Sequence, residues 1–246
     1  MMSSSKTEPV RTLKVLSAGA VKRGVSQIAA EFERATGTRV TVDFATGPEA
    51  RKRVAAGEAA DVIVVPPAIM DEFGKLGKIV ADSRAFVGRS RMGVVIHADA
   101  PIPGLVDTAA FKKLLLGATA VVYNRASSGL YAAKLMEKLG LAQALGARII
   151  VVQTGAGIME YVAEHPTAAV GLAQISEVMV HIDQGLPIRL AGPLPAAIQN
   201  ETTYDAAATA ASAARDAARG LARALTSPEA KKIFAATGIS QEMREA

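Results

Sequence analysis

The feature that most constrains the fold of this chain is a regular alternation of short β-branched runs with helical segments. Residues 13–17 predict a strand, residues 21–36 an amphipathic helix and residues 39–44 a second strand. A helix at 48–56 and a buried strand at 61–65 continue the order. Because a crossover helix follows each strand, the pattern predicts parallel pairing and a layered α/β fold.

After a further helix at 68–74, a second α/β series follows. Its predicted strands lie at 91–98, 120–123, 148–153, 169–173 and 186–191, and its predicted helices at 129–139, 158–164 and 176–184. The two series repeat a pattern and are not a sequence duplication.

An alanine-rich segment from 206 to 224 precedes the C-terminus. Arg215, Arg219 and Arg223 recur at every fourth residue, which places them on one face of a predicted helix. We interpret this face as solvated, and the alternative is a basic binding patch. Ser227 and Pro228 then predict the N-cap and first position of a last helix.

Composition argues against several kinds of site. The chain has no cysteine, which excludes disulfides, thiolate nucleophiles and cysteine-ligated zinc, and its three histidines are far apart in the sequence. Lysine and arginine are scattered and aromatic residues make up 4%, so the net charge of +5 does not indicate nucleic acid. No apolar run approaches the roughly 20 residues of a membrane span. We therefore expect no metal or nucleotide cofactor, no nucleic-acid partner and no membrane insertion.

The N-terminal residues are polar and lack the apolar core of a secretory signal. We predict that residues 1–12 are disordered. The protein is then either cytoplasmic or, if an export signal has been removed, periplasmic. The residues do not choose between these locations.

Candidate binding residues follow the strands, because ligands of open parallel sheets lie beyond the carboxyl ends of the strands. After the first strand, Ser17, Gly19 and Ala20 are small and let a ligand approach the start of a helix. Free N–H groups and the helix dipole favour an anion at such a start.

The second turn contains Thr46, Gly47 and Arg51. Thr46 is a candidate helix cap, and Arg51 is a candidate ligand for a carboxylate through two parallel hydrogen bonds. The alternative is that Arg51 is an ordinary surface charge.

The third turn is the most specific signal in the chain. A strand ends there in polar donors, an arginine and a helix start, and its candidate ligand residues are Asn124, Arg125, Ser127 and Ser128.

A fourth pair of turns adds Gly155 and Gln174. Gly155 and Gly157 are a fragment of a dinucleotide fingerprint that lacks its third glycine, so we do not predict nucleotide binding.

These turns, in this order, resemble those of the molybdate-binding branch of the type 2 periplasmic solute-binding proteins. The resemblance is carried by LSAGAV (16–21), IAAEFE (28–33), Gly37, VTVDFA (40–45), AADVIV (59–64), VGLA (170–173) and KKIFAATGI (231–239). It implies a two-lobed, periplasmic-binding-protein-like α/β fold, with mixed, mostly parallel sheets, helices on both faces and a ligand cleft between the lobes. Lobe 1 would comprise residues 13–90 and 193–246, and lobe 2 residues 91–192.

The resemblance also implies an anion held by helix N-termini. Members that bind oxyanions place serine in the first two ligand loops and often a tyrosine in the second lobe. The aligned positions here are Ala20, Gly47 or Pro48, and Gln174. These changes remove hydroxyl donors, so we expect a carboxylate-bearing organic acid, with molybdate or tungstate as the weaker alternative.

Two functions stay open. The first is a solute-binding protein, monomeric, that passes its anion to an ABC permease if it is exported, or that senses the anion. The second is an isomerase, because some relatives of molybdate-binding proteins are aconitate isomerases, which shift a double bond in a tricarboxylic acid. The candidate bases for that reaction are Glu49, Glu177, Tyr204 and His97.

Overall fold

The computed structural model describes residues 12–240. Contacts divide them into two compact units: unit 1 comprises residues 12–88, 203–236 and 240, and unit 2 comprises residues 89–202 and 237–239. The chain passes from unit 1 to unit 2 within β4 (Ala85–His97) and returns within β9 (Glu201–Ala208).

The sheet of unit 1 is formed by β9 and three further strands, which are β1 (Thr12–Ala18), β2 (Arg39–Ala45) and β3 (Val62–Val65). The helices of unit 1 are α1 (Lys22–Thr36), α2 (Gly47–Ala55), α3 (Pro67–Lys75), α9 (Arg215–Ala224) and α10 (Pro228–Ala236). The strand order is β2-β1-β3-β9, with β1 parallel to β2 and β3, and β9 antiparallel to β3.

The elements of unit 1 form for local reasons that the sequence shows. The short strand β3 is buried along its whole length, as its continuous apolar run predicts. Helix α1 ends where Gly37 adopts a left-handed conformation with φ of 70°, which glycine allows without steric cost. The hydroxyl of Ser227 accepts a hydrogen bond from the N–H of Ala230 at 3.1 Å, so the predicted cap of the last helix is present.

Unit 2 contains a second mixed sheet. Its other strands are β5 (Ala120–Asn124), β6 (Ile149–Val152), β7 (Ala169–Gln174) and β8 (Ile188–Pro193), and its helices are α4 (Thr108–Gly117), α5 (Ser127–Lys138), α6 (Ala142–Leu145), α7 (Gly155–Glu164) and α8 (Ile175–Asp183). A two-residue strand, β10 (Ile239–Ser240), ends the described chain. Strand β5 lies between β6 and β7 and is parallel to both, whereas β4 is antiparallel to β7 and to β8.

Helices cover both faces of this second sheet. Val121 packs in the cluster formed with α4, α5 and α6, and its neighbour Val122 packs in the cluster formed with α7 and α8. Because successive side chains of a strand point to opposite faces, a strand buried on both faces is continuously apolar. Strand β5 is such a strand, and its position in the middle of the sheet brings its carboxyl end between those of β6 and β7.

Several parts of the fold differ from the sequence-based expectation. Strand β4 begins at Ala85, earlier than the predicted residue 91. Helix α4 was not predicted, although Asp107 caps it by accepting a hydrogen bond from the N–H of Ala110 at 2.7 Å. Residues 206–208, which the sequence places in an alanine-rich segment, are the end of strand β9. Their small side chains are fully buried where this strand pairs with β3.

The contact-based units and the sequence-based lobes have different boundaries. Residues 193–202, together with 89–90 and 237–239, lie in unit 2 by their contacts, whereas the sequence-based division assigns them to lobe 1. The side chain of Gln199 holds the segment 193–202 there, since its amide donates to the carbonyls of Met92 at 3.1 Å and Leu194 at 3.0 Å. Of the predicted disordered residues, Thr12 begins β1 and the others lie outside the described residues.

Candidate functional site

Three helices of unit 2 begin at one edge of its sheet. The adjacent parallel strands β7, β5 and β6 end at Gln174, Asn124 and Val152. Helix α8 follows β7 directly, α5 follows β5, and α7 follows β6. Because parallel strands end at the same edge, the N-termini of α5, α7 and α8 lie along it and present N–H groups and positive dipole ends there.

Asn124 organises the turn between β5 and α5. Its buried Oδ1 accepts hydrogen bonds from the N–H groups of Ala126 at 3.1 Å and Gly129 at 3.2 Å, and from the hydroxyl of Ser128 at 3.4 Å. A Cβ atom on residue 129 would lie 2.7 Å from this oxygen, so the turn requires Gly129. Asn124 and Ser128, both predicted as ligand residues, are therefore used to build the turn.

Arg125 and Ser127 are exposed at the tip of the same turn. Among the described residues, Arg125 forms no ion pair. Its positive charge is available to a ligand or to solvent.

The start of α7 lies against a side chain from α8. Thr154 caps α7 by accepting a hydrogen bond from the N–H of Gly157 at 3.1 Å. A Cβ atom on Gly155 would lie 2.8 Å from the carboxyl carbon of Glu177. The predicted ligand residue Gly155 and the predicted base Glu177 are thus in direct contact.

Glu177 is an unusual acidic residue in this fold. It lies in the first turn of α8, and its buried Oε2 accepts no hydrogen bond within the described part of the chain. Burial raises the pKa of this carboxyl group. In the same helix, the buried Oγ of Ser176 and Nδ1 of His181 also lack hydrogen-bond partners among residues 12–240.

Gln174 is buried at the end of β7. Its Oε1 accepts a hydrogen bond from the hydroxyl of Ser90, which the sequence did not suggest as a site residue. Ser90 and Gln174 are brought together by the antiparallel pairing of β4 with β7, and no local sequence signal indicates such a long-range contact. His181 lies four residues after Glu177, which places both on one face of α8.

In unit 1, the first predicted loop follows β1. Ser17 is fully buried and its hydroxyl donates to the carbonyl of Ala18 at 3.2 Å. Gly19 and Ala20 form a short 3-10 turn before α1, and a Cβ atom on Gly19 would meet no atom within 4 Å. The backbone at Gly19 is therefore open on its Cβ side.

The second predicted loop of unit 1 is a capped helix start. Thr46 accepts a hydrogen bond from the N–H of Glu49 at 3.3 Å, and Gly47 is the first residue of α2. Glu49 is exposed in the first helical turn, where an acidic side chain complements the helix dipole. Arg51 pairs with Glu72 of α3 at 2.8 Å, and its side chain is 59% exposed. This pairing fits the surface-charge interpretation of Arg51.

The other two candidate bases, Tyr204 and His97, each lie in a strand. Tyr204 is buried in β9 within unit 1. His97 ends β4 in unit 2, where its Nδ1 accepts a hydrogen bond from the N–H of Asp99 at 3.2 Å. Glu177 is thus the candidate base that combines a buried carboxyl oxygen with contact to a predicted ligand loop.

Neither a metal cluster nor a membrane span is found in the part of the chain that the structure describes. No three His, Asp or Glu side chains within residues 12–240 are grouped as a metal site requires. None of the described helices is both long and apolar enough to cross a membrane.

Comparisons with known proteins agree with this architecture. The family model described as "Bacterial extracellular solute-binding protein" matches residues 13–240. A curated relative, aconitate isomerase from Pseudomonas sp, is 29% identical over 239 residues, which cover 94% of this chain and 88% of the relative.

Solved structures give the same fold. A substrate-binding domain from Clostridium difficile has a TM-score of 0.77 at 18% identity, covering 94% of this chain and 99% of that one. The periplasmic molybdate-binding protein of Azotobacter vinelandii has a TM-score of 0.69 at 20% identity, covering 94% of this chain and all of that one. The predicted α/β fold of the periplasmic-binding-protein type is confirmed.

Proposed function

Since the chain belongs to the bacterial extracellular solute-binding proteins, we propose that it binds a small organic acid through the carboxylate groups of that acid. The observation that carries the proposal is the row of three helix N-termini at one edge of unit 2, beside the exposed charge of Arg125. N–H groups at helix starts and a planar guanidinium both suit carboxylate oxygens.

The choice of a carboxylate over a tetrahedral oxyanion is supported by the loop residues. Ala20, Gly47 or Pro48, and Gln174 align with the positions where the molybdate-binding pattern has hydroxyl donors, so fewer hydroxyls are available to surround a compact oxyanion. Arg125 supplies instead a charged group that pairs with carboxylate through two hydrogen bonds. The relative named aconitate isomerase supports the same ligand class, since aconitate is a tricarboxylate.

We further propose that the protein works on the extracellular side of the membrane, in the periplasm, and passes its ligand to an ABC permease. The description of the matching family as extracellular supports this location. The proposal includes no nucleic-acid partner, and a monomer stays a prediction.

Thermal-shift screening tests the ligand class. The purified chain is heated with citrate, cis-aconitate, trans-aconitate, sulfate and molybdate in separate samples of equal ionic strength. Ligand binding to the folded state stabilises it by RT ln(1 + [L]/Kd), so a carboxylate at 100 times its Kd adds about 2.7 kcal/mol and raises the melting temperature. We expect stabilisation by at least one tricarboxylate; stabilisation by molybdate alone would contradict the proposal.

A second candidate function is isomerisation of an unsaturated polycarboxylate. It is favoured by the relative that covers 94% of this chain and by the unpartnered carboxyl oxygen of Glu177 beside the helix starts. Binding and isomerisation would use the same loops. Incubation with trans-aconitate followed by proton NMR distinguishes them, because isomerisation produces cis-aconitate and binding alone does not.

A further inference from the structure

One carboxyl oxygen of Glu177 is buried without the ion pair or hydrogen bonds that usually hold a buried acid in place. A buried carboxylate in a stable fold is normally paired with a cation or accepts several hydrogen bonds, because an unpartnered buried polar group costs about 1–3 kcal/mol. The Oε2 atom of Glu177 has neither kind of partner within residues 12–240, and it is the only acidic oxygen there that is buried without one.

The position of Glu177 gives this carboxyl group a chemical use. It lies in the first turn of α8 and touches the first residue of α7, so it is at the edge where α5, α7 and α8 begin. An anion held by these helix starts would be within the reach of the first helical turns. Polar groups that are strained or unpaired in this way cluster at functional sites.

The other candidate bases lack one of these properties. Glu49 is exposed in the first turn of α2, and the Nδ1 atom of His97 is occupied by the N–H of Asp99. Tyr204 is buried in β9 of unit 1. Glu164, which was not a candidate base, is exposed at the end of α7 and serves as a comparison. Only Glu177 combines a buried, unpartnered oxygen with contact to a strand-end loop.

We propose that Glu177 is a catalytic residue that removes a proton from the carbon next to a carboxylate of the bound organic acid and returns it two carbons away. The chain would then catalyse the 1,3-shift of a carbon–carbon double bond in an unsaturated polycarboxylate. This inference rests on the carboxylate binding proposed above.

The step balances without a cofactor. Glu177 takes the proton as the C–H bond breaks, and the electron pair of that bond forms the new C=C bond. The electron pair of the old C=C bond moves to its far carbon, which takes the proton back from Glu177. Nothing is oxidised or reduced, and the negative charge that develops on the substrate is next to helix N-termini, which stabilise it.

Burial suits this cycle. Burial raises the pKa of the Glu177 carboxyl group, which makes its carboxylate a stronger base than an exposed glutamate. The close contact with Gly155 limits the positions that the carboxyl group can adopt, which preserves its distance to a bound substrate.

The test measures proton exchange and binding on the same samples. Wild type, Glu177→Gln and the matched control Glu164→Gln are incubated in D₂O with trans-aconitate, and proton NMR follows both deuterium uptake at carbon and formation of cis-aconitate. Calorimetry measures the Kd of each variant for trans-aconitate, and circular dichroism verifies folding. We expect Glu177→Gln to lose at least a hundredfold in exchange rate, as removal of a general base does, while its Kd changes less than about threefold. Glu164→Gln should match wild type.

Two outcomes overturn the inference in distinguishable ways. Binding of trans-aconitate by wild type without exchange, or full exchange in Glu177→Gln, contradicts the role of Glu177 and leaves the proposed binding function intact. Failure of wild type to bind any carboxylate contradicts both. If Glu177→Gln does not fold, Glu177→Asp replaces it, and a rate equal to that of wild type in this shortened variant is the contradicting result.

Discussion

The carboxyl group of Glu177 lies directly against the backbone of Gly155, where the first turn of α8 meets the first turn of α7. A side chain at position 155 would occupy the space that this carboxyl group fills. The contact joins two loops that follow different strands, β6 and β7, and it fixes the only buried acidic oxygen without a hydrogen bond in the described residues.

Gly155→Ala should displace the Glu177 carboxyl group. A Cβ atom at 155 would lie 2.8 Å from the carboxyl carbon, which is the end of a flexible side chain and can move away at little cost. We expect a free energy of unfolding in urea close to that of wild type, and loss of any isomerase activity. The matched control is Gly157→Ala in the same helical turn, whose Cβ would be 3.4 Å from Val152, an ordinary contact. Unchanged isomerase activity in Gly155→Ala would contradict a role for the position of this carboxyl group.

Glu177→Gln should stabilise the protein at neutral pH. Burial raises the pKa of Glu177 in the folded state above its unfolded value of about 4.3. Below that value the carboxyl is protonated in both states and costs nothing. As pH rises from there through the folded-state pKa, the unfolded state ionises more readily and stability is lost.

The melting temperature of Glu177→Gln should therefore exceed that of wild type at pH 7.5, and the difference should shrink toward pH 4. Glu164→Gln, in which an exposed glutamate changes, is the control and should show no such dependence. A difference that is constant between pH 4 and 7.5 would mean that burial does not affect the titration of Glu177.

Gly129→Ala should be strongly destabilising because it breaks the turn that Asn124 organises. The new Cβ atom would lie 2.7 Å from Oδ1 of Asn124 and would also overlap the backbone carbonyl of that residue. We expect a cost of about 3 kcal/mol or more in chemical denaturation. Gly117→Ala, where a Cβ atom would meet nothing within 4 Å, should stay within about 0.5 kcal/mol of wild type.

Arg125→Ala should weaken ligand binding without lowering stability. The exposed guanidinium forms no ion pair in the described residues, so its removal breaks no contact within the fold. Loss of one charge-assisted hydrogen bond to a carboxylate should weaken binding by about tenfold in calorimetry. Arg215→Ala, on the exposed face of α9, is the matched control. Unchanged affinity in Arg125→Ala would remove this residue from the site.

Much of the fold was predictable from local patterns. Apolar runs such as residues 62–65 are strands whose burial follows from their continuous hydrophobicity, and glycines such as Gly37 mark helix ends through their backbone conformation. Strand β9 was not predictable in this way, because Ala206–Ala208 have high helix propensity and become strand only through pairing with β3.

The candidate site was predictable in part. The strand ends at Asn124 and Gln174 follow from the sequence, because ligand loops come directly after parallel strands. The sequence did not show which residues of this turn face inward. Asn124 is buried and its side chain forms hydrogen bonds within the turn, whereas Arg125 is exposed. The contact of Glu177 with Gly155 depends on how α7 and α8 pack against each other, and no local pattern encodes it.

Isothermal titration calorimetry with trans-aconitate and molybdate tests the central claim, binding of an organic carboxylate, most directly. Both anions are titrated into the same preparation of wild-type protein at one pH and ionic strength. We expect saturable binding of trans-aconitate that is at least about tenfold tighter than that of molybdate. Tight binding of molybdate with no heat from trans-aconitate would contradict it.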